Sequence, residues 1–338
     1  MNRKIPLVLI LLCAAGSNSF AQTNSTSGAP TAAIVVAANN FLATLDEAQR
    51  GKVVFDFKDD AQRKRWSNLP SAIFKRQGLR MGDLTQPERE AALAVLAAAL
   101  SPQGYQKILQ IIQADELLKR SSGEAMFGDD QYFISVLGQP STTQPWMIQF
   151  GGHRLGLNIT LVGEQRTLAP SHTGAQPAIY ELEGKTVCPL GRETDKAFAL
   201  MSSLSESQRK QAILGFQMRD LVLGPGRDEQ TIQPEGVKGS ALTEKQRDML
   251  LDLASEWTGI LHESAAKVKM DEMRNSIGET YFAWSGPTEK ASAAYFRIQG
   301  PTVIIEYAPQ RLGGEPTKHI YTIYRDPTND YGTKWSKR

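Results

Sequence analysis

The chain repeats its own pattern, and this constrains its fold more than any other feature. Phe41-Leu-Ala-Thr-Leu-Asp-Glu-Ala-Gln-Arg50 is echoed by Leu200-Met-Ser-Ser-Leu-Ser-Glu-Ser-Gln-Arg209. Each copy ends a helix at a leucine, places a short polar residue (Asp46 or Ser205), then restarts with Glu and Gln-Arg. Such a residue satisfies the free amides of the helix it begins. Asp83-Leu-Thr-Gln-Pro-Glu-Arg89 is echoed in turn by Ala241-Leu-Thr-Glu-Lys-Gln-Arg247. Thr85 and Thr243 read as N-caps, and Pro87 falls in a first turn that does not need its missing N–H. Apolar residues then recur at helical spacing: Ala92, Val95, Leu96 and Ala99 in one copy, Met249, Leu250, Leu253 and Trp257 in the other. A further helix is expected over about 102–119 and about 262–276.

Strand patterns follow in both halves. The first has 131–137, 146–150 and 153–162; the second has 280–284, 294–298, 302–307 and 319–324. Gly138 aligns with Gly286 and Gly152 with Gly300, which sets Asn158 in register with Glu306. Helices before a meander imply an α+β fold rather than an alternating one. The expected architecture is internally duplicated: two antiparallel meanders packed together and covered by helices. Its divisions are a signal peptide over 1–21, a flexible leader over 22–31, a first repeat over 32–162, a Gly- and Pro-rich linker over 163–196 and a second repeat over 197–335. The two repeats are expected to form one compact unit.

The N-terminus has the three parts of a secretory signal: the basic Arg3-Lys4, an apolar run from Ile5 to Ala15, and Ser19-Phe20-Ala21 as a small-x-small end. Cleavage is expected after Ala21, which exports the chain to the periplasm or beyond. The apolar run is too short to span a bilayer, and no later segment is long and apolar enough. Cleavage removes two of the 38 basic residues and none of the 36 acidic ones, so the mature chain carries no net charge. A nucleic-acid partner is therefore not expected. Arg63, Lys64, Arg65, Lys75, Arg76 and Arg80 form one basic cluster, offset by Asp56, Asp59, Asp60 and Asp83. Loss of Cys13 leaves Cys188 alone, so no disulfide is expected and stability must come from burial. The sequence leaves the oligomeric state open.

No G-x-S-x-G elbow, phosphate-binding glycine loop, G-x-G-x-x-G or H-E-x-x-H occurs. The candidate chemistry rests on four histidines. His172, in Pro-Ser-His-Thr-Gly, and His262, at a helix junction, read as surface residues. His153 and His319 each open a strand and would approach one another if the meanders pack about a pseudo-twofold. Glu306 and Asn158 would form a second near-symmetric pair. Strand parity puts His153 and Asn158 on opposite faces unless a bulge near Gly156 re-aims one of them. Two imidazoles with the Glu306 carboxylate suit a divalent transition metal, with Tyr321 on the face of His319; they equally suit proton exchange. Alternatively, Glu306 pairs with Arg325 and the histidines cap strand ends. Asp326-Pro-Thr-Asn329-Asp330-Tyr-Gly332 reads as a turn whose Asp and Asn side chains bond their own backbone.

Several segments resemble a known family. They are Arg63-x-x-Trp66 with Pro70 and Arg76-x-Gly78; Phe150-x-Gly152-His153 with Leu157-Asn158; Tyr295-x-Arg297-Ile298-Gln299-Gly300-Pro301 with Glu306-Tyr307; and His319 followed by Arg325-Asp326-x-x-Asn329-Asp330-x-Gly332. Together they resemble the bacterial family catalogued as domain of unknown function 3500, over nearly the whole mature chain. The resemblance implies an often-exported protein with no agreed activity. The family's last strand usually carries His-x-His, whereas this chain has His319-Ile320-Tyr321.

Two functions are therefore in view. One is a cell-envelope enzyme acting on a small molecule through His153, His319, Glu306, Arg325 and Asp326, with Asn158, Tyr321, Trp66, Asn329 and Asp330 as ligand contacts. The other is a non-catalytic periplasmic protein that binds a ligand or partner, with Trp66, Trp146, Trp284 and Tyr295 as aromatic contacts.

Overall fold

Each restart of the helical pattern folds as its cap residue dictates. In a computed structural model, which describes residues 30–311 and 314–336, the first half supplies α1 (Pro30–Thr44), α2 (Glu47–Val53), α3 (Gln86–Ala99) and α4 (Pro102–Ser122). The second half supplies α5 (Gly191–Ser203), α6 (Glu206–Ala212), α7 (Glu244–Thr258) and α8 (Glu263–Asn275). Asp46 accepts from the Gln49 amide at 2.7 Å, and Ser205 accepts from the Gln208 amide at 3.3 Å. In both, the glutamine side chain returns the bond to the cap residue's own amide. The segment expected to be a signal peptide, 1–21, lies outside the described residues. α1 already begins at Pro30, within the expected leader, and Thr31 is buried with its hydroxyl on the Gly163 carbonyl at 3.0 Å.

The sheet has eight main strands: β1 (Phe133–Leu137), β2 (Trp146–Gly152), β3 (Leu155–Val162), β4 (Ser171–Ala175), β5 (Tyr281–Ser285), β6 (Tyr295–Gly300), β7 (Val303–Pro309) and β8 (Ile320–Arg325). They form one sheet in the order β1-β2-β3-β4-β8-β7-β6-β5, and all these neighbours are antiparallel. The halves share a pairing pattern. Gln149 faces Asn158 as Arg297 faces Glu306. Leu79–Arg80 lines the outer edge of β1 as Val237–Lys238 lines the outer edge of β5.

The two meanders do not meet directly. β4, from the span expected only to link them, lies between β3 and β8, and its His172 pairs with Gly156 on one side and Ile323 on the other. Ser-His-Thr-Gly-Ala has no apolar alternation, so neighbours on both flanks make it a strand rather than its own pattern.

The sheet has two unlike faces. The helices pack on one, burying Ile148, Phe150, Leu157 and Ile159 in the first half and Phe282, Trp284, Phe296 and Ile305 in the second. The other face is polar for a sheet interior, with Ser135, Gln149, Asn158, Arg297, Gln299 and Glu306 all buried. Chain segments within 56–78 and 214–236 cover it, with the C-terminal turn. A small apolar cluster of Trp66, Leu137, Met147, Ile323 and Tyr331 sits beneath them. Trp146 and Trp284 are fully buried, so both serve the core. Against the expectation of no disulfide, Cys188 is disulfide-bonded. Among the described residues, no helix is long and apolar enough to cross a membrane.

Candidate functional site

The sheet midline gathers chemistry at the tight turn between β2 and β3. His153 and Arg154 form that turn, Arg154 in the left-handed region at φ 67°. The Arg154 amide donates to the Asn68 carbonyl at 3.1 Å, and the Arg154 carbonyl accepts from the Gly174 amide at 2.8 Å. The turn is thereby tied to the covering segment and to β4. His172 Nδ1 lies 3.3 Å from the same Arg154 carbonyl. The Arg154 guanidinium donates to Tyr321 Oη and to Gln176 Oε1, and its carbon sits 4.8 Å from the Tyr321 ring centroid. The His172 and His319 rings meet that same ring edge-on, at centroid distances of 5.3 Å and 4.9 Å.

Behind the turn, His153 Nδ1 is 2.5 Å from Asp115 Oδ1. Asp115 comes from α4, and its other oxygen accepts from the Gly128 amide at 2.9 Å. The Tyr132 hydroxyl donates to the His153 carbonyl at 2.8 Å, and the Phe127 ring lies 4.6 Å from the imidazole. Arg76 clamps three carbonyls, Ser67 at 2.6 Å, Leu69 at 2.7 Å and Gly152 at 2.8 Å.

Burial sets the electrostatics. It drives His172 down to about 3, with the nearby Arg154 charge adding to the effect. It also lowers His153, against the bond from Asp115 that favours the charged form. Arg76 falls to about 10 and Arg154 is lowered, in both cases chiefly through burial. Tyr321 is raised by burial, with Arg154 opposing and Asp220 adding. At neutral pH the site thus holds neutral His153 and His172 beside two guanidiniums. His172 Nδ1 faces a carbonyl, so it carries the proton and leaves Nε2 as a bare acceptor.

The candidate residues divide. His153, His319 and Tyr321 share this cluster; the others hold the covering segments. Glu306, fully buried, accepts from the Val222 and Leu223 amides at 2.9 Å and 2.8 Å and from the Tyr295 hydroxyl at 2.7 Å. It pairs with Ile323, well along the strand from His319. Arg325 does not pair with it: it donates to the Leu223 carbonyl at 2.7 Å, Asp228 at 3.0 Å and Asp330 at 2.8 Å. Asn158 bonds the Pro170 carbonyl and Gln149. Trp66 donates to the Tyr331 hydroxyl at 2.8 Å. Asp326 holds Lys269 and caps its own turn at the Thr328 amide; Asn329 accepts from the Lys334 amide. Asp330 accepts from the Asp326 amide, and burial pushes it up to about 6.

The expected metal triad of His153, His319 and Glu306 therefore does not assemble. Glu306 spends its oxygens on the covering segment and His153 Nδ1 faces Asp115. Among the described residues, no group of three or more His, Cys, Asp or Glu side chains is placed to hold a metal ion.

Strand parity resolves without a bulge. His153 lies in the turn rather than in β3, and Gly156 pairs in regular register. Gly156 is small because a Cβ there would stand 2.5 Å from the Trp66 ring. His172, expected at the surface, has no exposed area, because its strand is interior. Arg154, Gln176 and Asp115 are not singled out by the sequence, which marks Arg76 only in the basic cluster and the family motif and reads His172 as a surface residue. Asp115 did leave a signal: it continues the stripe of Ile108, Ile111 and Ile112, where an acid is out of place.

The family model described as a protein of unknown function, DUF3500, matches residues 27–333. The chain belongs to this family. No curated protein and no solved structure matches it. The motif residues of this DUF3500 chain serve two ends. His153 and His319 enter the midline cluster. Arg63, Trp66, Glu306 and the Arg325–Gly332 run secure the polar face, with Arg63 donating to the Tyr331 carbonyl at 2.5 Å.

Proposed function

We propose that this DUF3500 protein is exported and acts on a small molecule at the midline cluster. His153 exchanges the proton, Asp115 positions its ring, and Arg154, His172, His319 and Tyr321 contact the ligand. The observation that carries this reading is the buried His153–Asp115 pair set behind an arginine, two further imidazoles and a tyrosine at one point of the sheet. A carboxylate on Nδ1 fixes the tautomer and orientation of a histidine that works through its other nitrogen. Buried polar groups brought together from separate parts of a chain are where function concentrates. Tyr321 and Gln176 are half-buried, so the cluster has an approach from solvent.

The non-catalytic binding reading has its own support, since His153, His172 and His319 are at most 2 % exposed. One experiment separates the two. The mature protein is incubated with a metabolite mixture and followed by ligand-observed NMR for binding and by mass spectrometry for conversion. An enzyme binds and converts at least one component, and His153→Gln stops conversion while binding persists. Binding without conversion supports the second reading, and no binding at all overturns both. Export rests on the leader sequence. N-terminal sequencing of the protein from its producing cells should begin at Gln22.

A further inference from the structure

We propose that the ligand is a small monocarboxylate with a hydroxyl beside its carboxyl group, held by Arg154 and His172. This rests on the reading of the cluster as a small-molecule site. The first support is a charge deficit. Arg154 brings a buried guanidinium to the cluster and Arg76 a half-buried one, and Asp115 brings one carboxylate. Asp115 is turned to His153 and the Gly128 amide. Among the described residues, neither arginine makes a salt bridge: Arg76 is held by carbonyls, and Arg154 by a phenol and a side-chain amide. Other acids nearby do not close the gap. Asp220 is exposed and accepts from Gln310 at 3.0 Å, while Asp129 pairs with Arg89 at 2.7 Å. Buried cations are ordinarily matched by an anion. The cluster is short by one negative charge, which suits a monocarboxylate rather than a dianion.

The second support is the set of unused polar atoms. Arg154 Nε and His172 Nε2 are buried without a hydrogen-bond partner. The guanidinium fork matches a carboxylate in two-point contact. Its present partners, Tyr321 and Gln176, are neutral acceptors on the half-buried side, so an entering carboxylate displaces weaker bonds with stronger ones. His172 Nε2 needs a donor, which a carboxylate lacks and an adjacent hydroxyl supplies. The Arg154 guanidinium and the His172 ring both lie against the Tyr321 ring, 4.8 Å and 5.3 Å from its centroid, so one small ligand can span the two.

The test uses isothermal titration calorimetry on the mature protein with glycolate and lactate, against acetate and propionate. The hydroxy acids are expected to bind at least about tenfold more tightly than their partners lacking the hydroxyl. Arg154→Gln should abolish binding of all four, and His172→Phe should erase the preference for the hydroxyl. Tyr321→Phe removes a competing acceptor from Arg154 while keeping the ring, so glycolate should bind several-fold more tightly; this holds the inference to account if Arg154→Gln fails to fold. Absence of carboxylate binding, equal affinity for glycolate and acetate, or unchanged glycolate affinity in Tyr321→Phe overturns the inference. Binding and conversion of neutral or cationic metabolites alone, with conversion lost in His153→Gln, overturns the carboxylate and leaves the site reading standing. No binding by any class overturns both.

Discussion

Replacing Glu306 with alanine tests whether this motif carboxylate is an anchor rather than a reactive group. In the structure it accepts three bonds, from the Val222 amide, the Leu223 amide and the Tyr295 hydroxyl, at 2.7–2.9 Å and with no exposed area. Alanine leaves those donors without an acceptor. An orphaned buried donor costs about 1–3 kcal/mol, so three sum to roughly 3–6 kcal/mol once partial relaxation and entering water are allowed. That is a large fraction of a typical stability of about 5–15 kcal/mol. Glu306→Gln keeps one acceptor oxygen but turns an N–H₂ toward an N–H donor, so about 1–3 kcal/mol is expected. Urea unfolding gives the global loss. Hydrogen exchange at the Val222 and Leu223 amides gives the local one, with strongly reduced protection expected in Glu306→Ala. A loss below about 1 kcal/mol, with both amides still protected, would refute the anchoring account. Ligand binding at the midline should survive in any Glu306→Gln protein that folds.

Further expectations follow from the same contacts. His172 is pushed down to about 3 and His153 is lowered, so the unfolded chain binds more protons than the folded one below about pH 6.5. Stability held above that pH is lost as pH falls toward 3, by up to about 1.4 kcal/mol per unit for each histidine. Asp330, raised to about 6, works the other way, and its protonation between about pH 6 and 4 offsets part of the loss; urea midpoints from pH 7 to 4 should fall, and fall less in His172→Phe. Gly156→Ala drives a methyl against the Trp66 ring, so a loss of about 1–3 kcal/mol is expected, visible in Trp fluorescence and thermal unfolding. Asp115→Asn keeps a side chain of the same size but removes the charge beside His153; turnover should fall well beyond any loss of stability, and equal losses would place Asp115 in a purely structural role.

The local signals were sound where their cause is local. Capping boxes at Asp46, Ser205 and Thr243 involve residues three apart, so the helix starts are written in the sequence. The apolar alternation of the meanders likewise marks seven of the eight main strands. The carboxylate Glu306 and the run from Arg325 to Asp330 stood out as candidate chemistry, because an unusual buried polar residue looks the same in a sequence whether it reacts or anchors. The structure assigns them to the covering segments, whose backbone amides and carbonyls have no sheet to bond and require side-chain partners.

By itself the sequence determined the main helices, the strand pattern of the meanders and the α+β class, because caps and periodicities act over a few residues. Only the tertiary structure decided that a strand without apolar pattern would fill the gap between the meanders. That single placement buries His172, which the loop-like sequence put at the surface. It also brings β8, and with it Tyr321, beside the Arg154 turn. The Asp115 contact with His153 joins a helix to a turn far along the chain. Such meetings depend on how sheet and helices pack across long separations, and no local pattern records them.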